Sequence, residues 1–221
     1  YPAVVAEKGS GALRTTFALG AASGNQPTIV AMAGAASANA VPQTATARLR
    51  GGDVDAVSRQ LNAAKDAFVG KYTSQGGKFS IDVTREGADV LVKVTGASAH
   101  GSRPEEGVNP LPRLALFLQQ SGVALVANGY AQAVRYIADL YGVDYLGRTL
   151  GLAYSDDFMG PLTLSPNLIR AKDGKVDVLV NVRMPRGNTP EALAKATTER
   201  IKAWGTQAGV AVEVDHNQGN W

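Results

Sequence analysis

The chain has 221 residues, 45% of them hydrophobic and 19% charged, a composition that buries a globular core and excludes global disorder. Its 22 basic and 19 acidic residues leave a net charge of only +3, scattered rather than gathered into the basic face of a nucleic-acid binder. No apolar run reaches the roughly 18 residues of a membrane-spanning helix, there is no cysteine for disulfides or thiolate-bound zinc, and two histidines, His100 and His216, with scattered carboxylates do not make a self-contained zinc enzyme.

The opening YPAVVAEKG places Val4 and Val5 in a strand-like run, and residues 13–19 alternate as a strand ended by Gly20. Residues 21–39 are rich in Ala, Gly and Ser, and periodicity says little there. Within them, TIVAMAGAASANA (28–40) imitates a secretory signal core, but it is internal and reads as a tight-packing stretch leading into a strand. TATARL (44–49) is a strand stopped by Gly51-Gly52. Asp53 is a helix N-cap, and Val57, Leu61, Ala64, Phe68 and Tyr72 recur along one face of a helix running to about residue 73. Phe79, Ile81 and Val83, then Val90, Val92 and Val94, alternate on either side of the Arg85-Glu86-Gly87 turn and predict a hairpin.

After Gly96 a polar segment leads into a helix striped by Leu111, Leu114 and Leu118, with Pro110 and Pro112 tolerated in its first turn. A second amphipathic helix spans 128–141, and 142–160 carries no clear period. Residues 162–169 and 176–182 predict strands around the turn 172–175. Thr189-Pro190-Glu191 starts a helix whose buried face holds Leu193, Ile201 and Trp204, and Val210, Val212 and Val214 form a last strand. Both tryptophans, Trp204 and Trp221, read as packing residues. The order predicts an α+β fold, with ferredoxin-like antiparallel sheets and helices on one face. Residues 44–83 and 168–214 share the order strand, helix, strand, each preceded by an asparagine (Asn39, Asn167). This predicts two pseudo-repeated units, 1–87 and 88–221, the second with a helical insertion near 123–160.

The segment GASAHGSRPEEGVN (96–109) is least like generic structure: a strand delivers a lone histidine, His100, onto a Gly-Ser-x-Pro loop. His100 there either meets a ligand or caps a nearby backbone group. Glu105 and Glu106 read as acids favouring the positive end of the following helix. Arg183, at the end of a valine strand and on the face opposite the valines, suits a two-pronged grip on a carboxylate or is a solvent-facing charge, with Arg170 and Arg186 as rivals. Asn39, before Val41-Pro42, offers an amide to a substrate or stabilises a turn. No nucleophile–base pair, phosphate loop, dinucleotide fingerprint or metal-spaced cluster is present.

GASAHGSRPEEGVNP (96–110) resembles the lid, or dimerisation, domain signature of the zinc-dependent aminoacylase, carboxypeptidase and dipeptidase family. VLVNVRMPRGNTPE (178–191) is similar to that family's later arginine-ended strand, and NAVPQTATARL (39–49) to its Asn-x-Val-Pro strand start. The doubled form is most like the bacterial dipeptidase V type. The resemblance implies two half-lids in one chain, taking the place of the lid pair of dimeric relatives. It implies His100 as oxyanion stabiliser, Arg183 as the binder of the substrate's C-terminal carboxylate, and Asn39, with Asn167 a competing match, as a further substrate contact. The family's His-x-Asp, bridging Asp, Glu-Glu pair and late histidine are not in this sequence. Zinc is therefore expected in a catalytic domain outside this chain, which would be the lid's partner in the same polypeptide and would hydrolyse small peptides or N-acyl amino acids. The chain alone is expected to bind no metal and to be inactive, as a monomer or weak dimer, in cytoplasm or periplasm. The alternative is a non-catalytic self-association module; an RNA-binding ferredoxin-like domain fits poorly, because the clear strands present valine rather than aromatic rings.

Overall fold

The computed structural model describes residues 7–21 and 24–218. The run around Val4 and Val5 and the packing of Trp221 lie outside the described residues. The chain forms β1 (Gly9–Ala18), β2 (Thr28–Ala33), β3 (Ala40–Val41), β4 (Thr44–Arg50), α1 (Val54–Thr73), β5 (Ser80–Glu86), β6 (Asp89–Thr95), β7 (Ala99–His100), α2 (Pro110–Gln120) and α3 (Gly129–Leu140). Then follow β8 (Ser155–Asp156), β9 (Gly160–Pro161), β10 (Thr163–Lys172), β11 (Lys175–Met184), α4 (Pro190–Ala208) and β12 (Glu213–Gln218). Caps set the long helices as their sequences require: Asp53 accepts from the Ala56 amide at 3.0 Å to start α1, and Thr189 from the Ala192 amide at 3.2 Å to start α4. Three differences from the sequence reading stand out. The Ala-rich stretch contains strand β2, the 142–160 region contains the β8–β9 hairpin, and Glu105 and Glu106 lie in a separate 3-10 turn (Pro104–Glu106) rather than in the first turn of α2.

Two four-stranded antiparallel sheets carry the fold, in the orders β2-β4-β6-β5 and β10-β11-β1-β12. Each contains a strand–strand–helix–strand run, β2-β4-α1-β5 and β10-β11-α4-β12. Each also admits a fourth strand beside its second: β6, arriving by hairpin, in one sheet and β1 in the other. The second unit is thus a circular permutation of the first. The strands consequently sort differently from a division of the chain at residue 87, which falls in the β5–β6 hairpin turn, while β1 joins the second sheet. The reason is packing: Leu13, Thr15 and Phe17 of β1 lie opposite Val180, Val178 and Val176 of β11, and all six are buried.

Helices α1 and α2 cover the first sheet, α3 and α4 the second, and α2 packs against α3 where the halves meet. Around Phe68 the rings of Tyr72, Phe79 and Phe117 fill the first core. In the second, Tyr136 packs on Phe17, Tyr141 and Trp204, and its hydroxyl shares hydrogen bonds of 2.8 Å with Thr15 and Tyr141. Burial pushes the Tyr136 phenol up to about 12, so it stays neutral at any ordinary pH.

The halves are joined by an exchange of capping asparagines. Asn109 caps α2, which lies on the first sheet, by accepting from the Leu111 amide at 3.0 Å. Its amide donates to the Pro166 carbonyl and Asn167 Oδ1, both at 2.9 Å, at the irregularity of β10 in the second sheet. Asn128 caps α3, which lies on the second sheet, and donates at 2.9 Å to the Ile29 carbonyl, at the irregularity of β2 in the first. A strand irregularity frees a carbonyl from the ladder, and each cap uses the one offered by the other half.

Asn109→Ala should therefore destabilise the fold by about 1–3 kcal/mol in chemical denaturation, because buried partners lose their bonds along with the cap. Asn109→Asp should rescue little. At a simple N-cap Asp equals Asn, but here a carboxylate would face the Pro166 carbonyl and Asn167 Oδ1.

A second prediction concerns acid. Arg50, donating to Asp89 at 2.7 and 2.9 Å, and Arg48 hold the Asp89 carboxyl down at about 2. The folded value lies below the unfolded carboxylate value of about 3.9. The stabilisation is thus present above pH 4 and lost as pH falls toward 2. Denaturation midpoints measured from pH 5 to pH 2 should fall less steeply in Asp89→Asn than in the wild type.

Candidate functional site

The 96–109 loop is shaped by backbone proximity. Ala97 and Val108 exchange amide hydrogen bonds of 3.1 and 2.8 Å, closing the loop on itself. Strand β7 pairs with β3 so that His100 lies opposite Ala40, and the Gly101 amide donates to the Asn39 carbonyl at 2.7 Å. A Cβ on Gly101 would sit 2.6 Å from that oxygen and 2.8 Å from its carbon, a distance no side chain tolerates. The glycine after His100 is thus what lets the histidine loop lie against Asn39.

His100 is exposed. Its Nδ1 accepts the Ser102 amide at 3.2 Å and lies 2.6 Å from Ser102 Oγ. A ring nitrogen that accepts an N–H carries no proton, so the neutral ring keeps its proton on Nε2. The loop therefore presents an N–H donor.

Arg183 is only 7% exposed, yet among the described residues no carboxylate lies within ion-pair distance of it. Its Nε donates to Asn181 Oδ1 at 3.3 Å, and Asn181 Nδ2 donates to Asn39 Oδ1 at 3.5 Å. The structure thus brings Asn39, His100 and Arg183 together: guanidinium, Asn181, Asn39 and the His100–Gly101 backbone form one hydrogen-bonded chain. The rival arginines are exposed and occupied, Arg170 by Asp177 at 3.5 Å and Arg186 by Asp156 at 3.2 Å. Asn167, the competitor of Asn39, is fully buried. Its Oδ1 accepts from Asn109 and Ser165, and its Nδ2 donates to the Ala38 carbonyl at 2.8 Å. Asn167 holds the 35–39 segment in place and is buried out of reach of a ligand, whereas Asn39 is exposed.

Arg183 lines an open cleft of about 380 Å³ together with Glu7, Lys8, Ser102, Arg103, Glu105, Phe158 and Met159. Among the described residues the terminal guanidinium nitrogens have no protein acceptor there. Two further cations line the same cleft: Arg103, paired with Glu106 at 3.0 Å, and Lys8, its Nζ 2.6 Å from the Pro161 carbonyl. Burial lowers its pKa, the charge of Arg183 lowers it further, and Glu105 works the other way. A desolvated, unpaired guanidinium is costly unless an anion completes it, and its fork matches a carboxylate. Sequence reasoning missed Lys8, whose neighbours give no signal. It also missed Asn181, whose polar side chain two residues before Arg183 in a strand buried on both faces was a usable one.

Zinc does not fit these residues. Among the described residues no three His, Asp or Glu side chains converge. His216 instead lies 3.0 Å from Thr198 Oγ1 through its Nε2, and His100 Nδ1 is taken by Ser102.

No protein-family model matches the chain. It is 30% identical over 202 residues, 91% of its own length, to the Beta-Ala-Xaa dipeptidase of Lactobacillus delbrueckii subsp. lactis, and 29% identical over 148 residues to the putative dipeptidase YtjP of Bacillus subtilis (strain 168). It spans 40% and 29% of the lengths of those two proteins. The solved aminoacylhistidine dipeptidase of Vibrio alginolyticus matches 97% of this chain and 46% of its own at 11% identity, with a TM-score of 0.31, too loose a superposition to argue from. By its sequence homology the chain is a dipeptidase-family domain.

Gly101→Ala should push the histidine loop off the Asn39 segment. In ¹H–¹⁵N spectra the largest shifts should fall at the amides of 39–41 and 99–102 and at the Asn181 side chain, with α1 and α4 unmoved. Shifts spread evenly over the chain would contradict the local clash.

Proposed function

We propose that this dipeptidase-family domain is a lid that closes over the substrate of a dipeptidase and supplies three of its polar contacts. The observation that carries the reading is Arg183: a buried guanidinium with no carboxylate partner among the described residues, open to a cleft and hydrogen-bonded through Asn181 and Asn39 to the His100 loop. In this reading the fork of Arg183 takes the C-terminal carboxylate of a dipeptide or N-acyl amino acid. His100 donates its Nε2 proton in a hydrogen bond to the scissile carbonyl oxygen, and the bond strengthens as negative charge develops there. Asn39, whose Oδ1 already accepts from Asn181, offers its remaining N–H bonds to the substrate. Closure brings these donors in only with substrate present and removes water from around them. Zinc, which the family resemblance implies, belongs in this reading to a catalytic domain outside this chain.

The competing reading, a self-association module, needs an edge that a second copy completes. The inner edge strands β2 and β10 are instead turned to each other within one chain, where the Ala35 amide donates to the Asn167 carbonyl at 2.8 Å. That removes the inner edges from self-association and leaves the outer edge strands β5 and β12 as the ones a second copy would have to use.

The test is kinetic, in the full-length protein that carries this domain. His100→Ala should lower kcat by on the order of 10²–10³, the usual loss for one oxyanion donor. Arg183→Lys should raise KM by about tenfold, corresponding to the loss of one charge-assisted bond. It should also narrow the preference for a free C-terminal carboxylate over the C-terminal amide. Near-normal kcat in His100→Ala, or an unchanged carboxylate preference in Arg183→Lys, overturns the assignment of that residue.

A further inference from the structure

The cleft beside Arg183 has one wall that the carboxylate grip does not use. Phe158 is 64% exposed, and among the described residues only it and Val30 are large hydrophobics left exposed. A lone exposed apolar side chain on a slack loop needs no explanation, but this loop is held at several points. Asp156 Oδ1 accepts the amides of Phe158 and Met159 at 3.1 and 2.7 Å, and Arg186 pairs with the same carboxylate at 3.2 Å. The Leu162 amide donates to the Tyr154 carbonyl at 2.9 Å, and the Tyr154 hydroxyl donates to the Pro185 carbonyl at 3.0 Å. Lys8 Nζ donates to the Pro161 carbonyl across the cleft. The β8–β9 hairpin is therefore anchored to the end of β11, two residues beyond Arg183, and Phe158 and Met159 line the same cleft as the guanidinium.

We propose that the β8–β9 hairpin is the specificity element of this site: Phe158 and Met159 receive an apolar side chain of the substrate's C-terminal residue, while Arg183, with Lys8 beside it, holds that residue's carboxylate. The proposal rests on the lid reading above. Charge agrees with it. Lys8, Arg103 and Arg183 against Glu7 and Glu105 leave one net positive charge in the cleft for one carboxylate, and Phe158 and Met159 add a pre-positioned apolar patch, so ordering it on binding costs little.

The experiment compares kcat/KM for dipeptides ending in Leu and in Gly, in the full-length protein. Wild type should prefer the Leu peptide. Phe158→Ala should reduce the Leu-to-Gly ratio by about tenfold, and Phe158→Leu should keep most of it. Phe158 is exposed, so both variants should melt with the wild type, which a thermal scan checks. A wild type without preference for Leu, or a ratio that Phe158→Ala leaves unchanged, overturns the inference. Arg183→Lys serves as the separate arm and should lower kcat/KM for both peptides. If it does while the Phe158 ratio stays fixed, only the specificity assignment falls; if it lowers neither, the lid reading itself falls.

Discussion

The fold depends on how two edge strands are closed against each other. Unpaired strand edges carry bare amides and carbonyls that must be satisfied. Here the inner edges, β2 and β10, meet in the middle of the molecule, and each is locally irregular, which releases a carbonyl. Asn109 and Asn128 take those carbonyls while capping the two central helices. Each asparagine thus does two jobs on opposite halves, and neither half can shift without breaking a helix cap in the other. Ser165 and Asn167 extend the same buried network to the Ala38 carbonyl.

That network explains why the site is preformed. The segment before β3 has little side-chain bulk to fix it, and it is fixed by its backbone: the Ala35 amide and the Ala38 carbonyl are both bound by Asn167. Asn39 follows directly and meets Gly101 and Asn181. Residues from three distant parts of the sequence therefore share one hydrogen-bonded chain, and its cation, Arg183, has no anion partner among the described residues. The network is anchored at its Asn167 end and open at the other, where the buried Arg183 meets no carboxylate among the described residues and Asn39 is exposed.

Doubling the unit within one chain has a second consequence. The histidine loop follows the first sheet and Arg183 ends a central strand of the second, so the site lies across the junction between halves. The circular permutation, with β1 filling in the second sheet the place of β6 in the first, lets the strand run from β6 straight into the histidine loop in one half. In the other half, β11 is flanked on both sides and Arg183 is held at depth. The two units are alike in architecture and unlike in chemistry.

Much of this was legible in the residues alone. The Asp53 and Thr189 caps, the valine alternation of β6 and β11 and the leucine stripe of α2 are local patterns with one physical solution each, and the histidine loop and Arg183 stood out for the same reason. The Ala-rich strand β2 was silent because its burial comes from β4 and α3 rather than from its own periodicity. Glu105 and Glu106 looked like helix acids because sequence does not show where a 3-10 turn stops and a helix starts. Asn39 and Asn167 were equivalent on paper; only tertiary contacts bury one and expose the other. Arg170 and Arg186 are rivals of Arg183 in the sequence, and only their ion pairs with Asp177 and Asp156 set them apart from it. Sequence by itself determined the elements and the residue types able to bind an anion or polarise a carbonyl, because those follow from short-range geometry and side-chain chemistry. Which of them converge, and which remain unpaired, was decided by contacts between segments far apart in the chain, which no local pattern encodes.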